Sequence, residues 1–182
     1  MRCLWIIVAL ALELVAAAQP GRIILIRHAE KPADALDPHL TVIGRERAQA
    51  LVKWAARPEV LGTNGPLAAL YAARPSAHQR GERCVETLQP LEQELKLSIR
   101  TPWLARDFQP FARALLTDES LRGRTVLVCW THEEIPDLVA ALGVTPKPAK
   151  WKSEDFQTAY LITLGGVHPK LEHLKQRYKP RR

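Results

Sequence analysis

The stretch "GRIILIRHAEKP", Gly21 to Pro32, decides how the rest of the chain is read. Arg22 to Ile26 is a short continuous apolar run rich in β-branched residues, which suits a strand covered on both faces. The run ends on Arg27 and His28, side by side, followed by a polar loop. A lone histidine at such a place is ordinarily structural, so its meaning depends on what else the chain brings to that edge.

Outward from this strand, apolar strand patterns alternate with helical ones. "LTVIGRERAQALVKWAA" keeps Leu40, Ile43, Ala48, Leu51 and Ala55 close to helical spacing, with Thr41 placed to cap the start. "LAALYAA" is a second candidate strand. "ERCVETLQPLEQELKL" carries Val85, Leu88, Leu91 and Leu95 on one helical face, with Pro90 as a kink or a new turn. "TVLVCW", Thr125 to Trp130, is the clearest strand, and it leads into "HEEIPDLVAALG". There Pro136 fits a first helical turn and Gly143 a stop. "TAYLITL" is expected to be the last strand.

This alternation predicts a single-domain α/β fold: a mostly parallel, doubly wound sheet with helices on both faces. The 182 residues suit one domain. There is no internal repeat, low-complexity segment or flexible linker. In such sheets ligands bind outside the carboxyl ends of the strands. Arg27-His28 and Thr131-His132 both fall at such ends, and two histidines at equivalent edge positions argue for a site.

The N-terminal "MRCLWIIVALALELVAAAQP" joins one positive charge, a short apolar run and Ala16-Ala17-Ala18. It reads as a secretory signal peptide over 1–18, cleaved after Ala18, with the domain over 19–182. Glu13 within so short a run argues against a retained membrane anchor. The protein is therefore expected to be periplasmic or secreted, with no stable membrane insertion after cleavage. Cleavage would remove Arg2 and Glu13 together and leave the net charge of +7 unchanged. In an oxidising compartment Cys84 and Cys129 could form a disulfide, but two buried thiols are the preferred reading. The basic "KQRYKPRR" end is read as a solvated tail. It has a single aromatic, and no helix-turn-helix or arginine stripe accompanies it, so no nucleic-acid partner is expected.

The chemistry expected at the sheet edge is phosphoryl transfer. A neutral imidazole can attack phosphorus and split a hard hydrolysis into two easier steps. Charge spread over the phosphoryl oxygens must then meet cationic donors already in place. Arg27 offers one guanidinium, Arg80 and Arg83 in "RGERCVET" offer others, and His132 and the helix start after it offer further donors. A departing alkoxide needs a proton, for which Glu133, Glu30 and Asp107 are the candidates. Any of them would need its pKa raised by burial or by the phosphate. The lesser reading of Glu133 and Glu134 is favourable charge in a first helical turn. "HEEIP" begins like H-E-x-x-H but has Pro136 in place of the second histidine, so no catalytic metal and no cofactor are expected. His39, His78 and His168 read as isolated loop or surface residues.

"RHAEKP" followed by "LTVIGRERA" resembles the signature of the histidine phosphatase superfamily, also called phosphoglycerate mutase-like. Leu40, Thr41, Gly44, Arg47 and Ala48 match its helix start, Arg83 stands four residues before Thr87, and His132 matches the second histidine. The resemblance implies that His28 is the phosphorylated nucleophile and that Arg27, Arg83 and His132 bind the phosphate. It favours Glu133 as proton donor and keeps Asp107 as the choice of another branch. The stretch "AARPSAHQRGER" is longer than usual and leaves Arg80 and Arg74 as competitors of Arg83. "AEK" after the first histidine replaces a glycine-containing form and disfavours a mutase-type phosphotransferase. The function expected is a metal-independent phosphomonoester hydrolase acting through phosphohistidine on a small phosphorylated substrate. The alternative is a non-catalytic phosphate-binding module. Substrate and oligomeric state are not legible.

Overall fold

The computed structural model describes residues 19–34, 36–76 and 81–179. The proposed signal peptide, His78 and Arg80 lie outside the described residues.

Six strands form one sheet: β1 (Arg22–Arg27), β2 (Leu67–Ala72), β3 (Ile99–Arg100), β4 (Thr125–Trp130), β5 (Thr158–Thr163) and β6 (Lys170–Lys175). Their order across the sheet is β3-β2-β4-β1-β5-β6. The four from β3 to β1 run parallel, while β5 and β6 are antiparallel to their neighbours. "TAYLITL" is thus not the last strand, because β6 follows it. Its pattern escaped notice because Leu171 and Leu174 are outnumbered by exposed Lys170, Glu172, His173 and Lys175.

The helices are α1 (Val42–Ala55), α2 (Pro58–Leu61), α3 (Glu82–Leu95), α4 (Phe108–Thr117) and α5 (Ile135–Ala141). The chain moves from β1 to β2 to β3 in one direction across the sheet, then back through β4 to β5. Right-handed crossovers therefore put α1 and α3 on one face and α4 and α5 on the other. Pairwise packing agrees, since α1 meets α3 and α4 meets α5. Every residue of β1 and of β4 is buried, as their continuous apolar runs require.

Thr41 caps α1 by accepting from the Gly44 amide at 3.0 Å. Pro90 is accommodated within α3. Gly143 follows α5 with φ of 90°, a left-handed stop. Cys84 and Cys129 are free and buried. Burial and the neighbouring Cys84 push the Cys129 thiol well above its ordinary value. The basic end departs from a solvated tail. Gln176 is buried, and the Tyr178 hydroxyl donates to Glu46 on α1 at 2.5 Å.

Candidate active site

β1 and β4 are adjacent and in register, with Arg27 opposite Trp130. Neighbouring strands are about 4.8 Å apart, so His28 and the Thr131-His132 pair leave the sheet side by side. Trp130 anchors its strand end by donating its indole N–H to Ala105 at 3.0 Å and stacking on Phe111 at 4.7 Å.

His28 is only 5 % exposed. Its Nδ1 lies 2.7 Å from the carbonyl of Ala29. A carbonyl cannot donate, so Nδ1 carries the proton and Nε2 keeps its lone pair. Burial lowers the imidazole pKa to about 3, against the opposing pull of that hydrogen bond and with help from the charges of Arg27, Arg83 and His132. The ring is neutral and oriented across the physiological range.

Arg27 is buried, and burial lowers its pKa to about 10 despite nearby Glu133 and Asp155, so it stays charged at neutral pH. Its Nη1 donates to the carbonyl of Ser153 and lies 3.5 Å from that of Lys152. Its Nε and Nη2 are buried and have no partner among the described residues. Unsatisfied charged donors are costly in a protein interior, and an anion would satisfy them.

Arg83 is brought to the same place and is also buried. It donates to the carbonyls of Asp37 and His39. Gly81 makes its approach possible: a Cβ there would stand 2.4 Å from the Ala73 carbonyl, so only glycine lets α3 begin so close to the end of β2. Thr87 ties the two halves together. Its hydroxyl donates to the Arg83 carbonyl at 2.6 Å and accepts from the Ala29 amide at 2.9 Å. Arg74, the other described competitor, is exposed.

The L-T-x-x-G-x-x-R segment buttresses the turn after His28. The Glu30 carbonyl accepts from the Thr41 amide at 3.0 Å. A Cβ at Gly44 would come within 2.4 Å of that same carbonyl. Arg47 grips the Glu30 carboxylate through Nε and Nη2, at 2.8 Å for the Nε–Oε2 pair. Glu30 is thereby committed to an ion pair, which removes it from the contest for proton donor. Asp107 is turned toward its own turn, accepting from the Leu104 amide at 3.3 Å.

His132 Nδ1 and Glu133 Oε2 are 2.9 Å apart, a close contact that lacks the alignment of a hydrogen bond. Partial burial favours the neutral acid at Glu133. The His132 contact, its own amide and the Arg27 charge outweigh it and hold the carboxyl at about 2. Glu133 is therefore a carboxylate at neutral pH. Residues 132–134 form a turn and α5 begins only at Ile135, so the helix start stands farther from His132 than the sequence suggests.

Phe156 was not foreseen. Its ring covers the Arg27 guanidinium, with Cζ 4.1 Å from the centroid, and lies 6.1 Å from the His28 ring. No periodicity marks it, because it arrives on an irregular loop. Among the described residues no cluster of three or more His, Cys, Asp or Glu side chains could hold a metal ion, and no helix is long and apolar enough to cross a membrane.

Solved structures share this architecture. The α-ribazole phosphatase of Shigella flexneri matches 88 % of this chain and 100 % of its own, with a TM-score of 0.58 at 17 % identity. A mycobacterial glucosyl-3-phosphoglycerate phosphatase, determined with inorganic phosphate, matches 84 % of this chain and 95 % of its own, with a TM-score of 0.55 at 15 % identity. A protein of Agrobacterium tumefaciens assigned as the phosphohistidine phosphatase SixA matches 85 % and 98 %, with a TM-score of 0.53 at 15 % identity. The chain shares the fold of these phosphatases. No protein-family model and no curated protein matches the sequence. Within this shared fold, the residues of "RHAEKP" and "LTVIGRERA" build and brace one sheet-edge site.

Proposed function

We propose that the protein is a phosphohydrolase of the histidine phosphatase superfamily, cleaving phosphomonoesters through a phosphohistidine at His28. One observation carries this reading: a buried, neutral imidazole with Nε2 free to attack stands beside buried Arg27 donors that have no partner among the described residues. In the first step Nε2 forms a bond to phosphorus while the ester P–O bond breaks, and the leaving oxygen takes up a proton. In the second step water attacks phosphorus while Glu133, left as a carboxylate by the first step, takes its proton; the P–N bond breaks, and His28 is restored as inorganic phosphate departs. Arg27, Arg83 and an N–H of His132 meet the charge on the phosphoryl oxygens. Glu133 is the proton donor in this scheme. A phosphate dianion bound beside it raises its pKa by like-charge repulsion and so favours the protonated acid.

The mature chain would work outside the cytoplasm after loss of residues 1–18, and fractionation of cells expressing the full chain tests that location. The test of function is hydrolysis of an aryl phosphate by the mature protein, with and without chelator, beside His28→Ala. Chelator-resistant turnover that disappears in the variant is expected. Tight vanadate binding without turnover would instead support the phosphate-binding module. That reading draws on the lowered Glu133 pKa, which leaves the carboxyl ionised.

A further inference from the structure

Phe156 belongs to a segment that closes one side of the pocket, and the chain pins that segment on both flanks. Before the ring, the carbonyls of Lys152 and Ser153 receive Arg27. The Trp151 indole donates to the Asp155 carbonyl at 2.8 Å. The Asp155 carboxylate accepts from the Gln157 amide at 2.9 Å, the Thr158 amide at 3.0 Å and Lys175 at 2.9 Å. After the ring, Gln157 donates its side-chain amide to the Tyr178 carbonyl at 2.8 Å and accepts from the Tyr178 amide at 3.2 Å. Phe156 is thus a fixed wall, half-buried, with one face on Arg27.

The phosphate must lie within about 3–3.5 Å of His28 Nε2, with its leaving oxygen on the opposite side of phosphorus. A ring 6.1 Å from the His28 ring and inclined 54° to it flanks that position without filling it. An organic group on the phosphate that turns toward this side meets the ring. The Arg27 guanidinium is therefore bordered by an apolar ring.

We infer that Phe156 is a specificity-determining residue, selecting phosphate esters whose organic group is apolar or aromatic over small polar ones. The inference rests on the phosphoryl-pocket reading above. It extends that reading to the substrate's other half.

The experiment compares 2-phenylethylphosphonate with ethylphosphonate in binding, by calorimetry, and 2-phenylethyl phosphate with ethyl phosphate in turnover. Both alcohols are alike in acidity, so leaving-group chemistry cancels. The wild type is expected to favour the phenylethyl ligand roughly tenfold, Phe156→Ala to fall to within about twofold, and Phe156→Leu to lie between. Equal affinities in the wild type would overturn the inference. Equal weakening of both ligands by Phe156→Ala would also overturn it, because the ring would then serve only to hold Arg27. A phenylethyl preference in binding with no turnover of either ester would sustain the wall and reject the hydrolase. Failure to bind either phosphonate would reject both.

Discussion

The hydroxyl of Thr87 accepts the amide of Ala29 at 2.9 Å, and through this contact helix α3 is fastened to the residue whose carbonyl orients His28. The same hydroxyl donates to the Arg83 carbonyl, so one side chain joins the His28 turn to the helix that carries Arg83. Thr87→Val keeps the shape and removes both bonds. It leaves the Ala29 amide buried and unpaired, at a cost of about 1–3 kcal/mol. Because a small displacement of reacting groups is expensive, kcat/KM should fall by roughly 10²-fold. Steady-state kinetics beside a urea melt checks this. Full activity in a destabilised Thr87→Val would show that the bridge matters to folding alone.

Gly44→Ala presses a methyl group against the Glu30 carbonyl, 2.4 Å from the position its Cβ would take. Both partners are backbone, and neither yields cheaply, so a loss of about 1–3 kcal/mol is expected. The strain falls on the turn after His28, and kcat should drop along with the urea midpoint. An unchanged kcat would mean that α1 shifts without disturbing the nucleophile.

Glu133→Gln separates acid catalysis from binding. An aryl leaving group scarcely needs a proton, whereas an alkoxide does. The variant should lose about 10²–10⁴-fold in kcat on an alkyl phosphate and little on an aryl phosphate. Equal losses on both would reassign Glu133 to holding His132, its neighbour at 2.9 Å.

Stability should depend on His28 in a particular pH window. Its pKa is lowered by burial from 6.5 unfolded to about 3 folded. Between those values the unfolded chain binds the proton and the folded protein does not, so stability rises with pH through the window and is lost as pH falls. His28→Ala lacks this dependence. The urea midpoint of the wild type should therefore fall more steeply than that of His28→Ala between pH 6.5 and 4. Parallel slopes would contradict a buried neutral imidazole. Glu133 and Asp155, both held at about 2, add an acid loss at still lower pH that the two proteins share.

The sheet centre was legible because β1 and β4 are buried on both faces, and such strands leave an uninterrupted apolar run. The α1 start was legible because a cap, a glycine and an arginine each answer a local demand: Thr41 the open amides, Gly44 the approach of Glu30, Arg47 its charge. Helix α4 was missed. Pro110 in "DFQPF" reads as a break, yet it falls in the first turn, where its missing N–H costs nothing. β6 was missed because an edge strand is mostly solvated. The docking of Tyr178 and the arrival of Phe156 beside Arg27 depend on contacts between distant parts of the chain, and no local pattern records those.

The central claim is that phosphorus passes through His28. The direct measurement is an acid-lability assay on protein mixed with phosphate-labelled substrate and quenched in alkali within one turnover, followed by peptide mapping. The account predicts an alkali-stable, acid-labile phosphoryl group on the peptide carrying His28, absent in His28→Ala. Turnover with no such adduct, or an adduct that persists in His28→Ala, would contradict it.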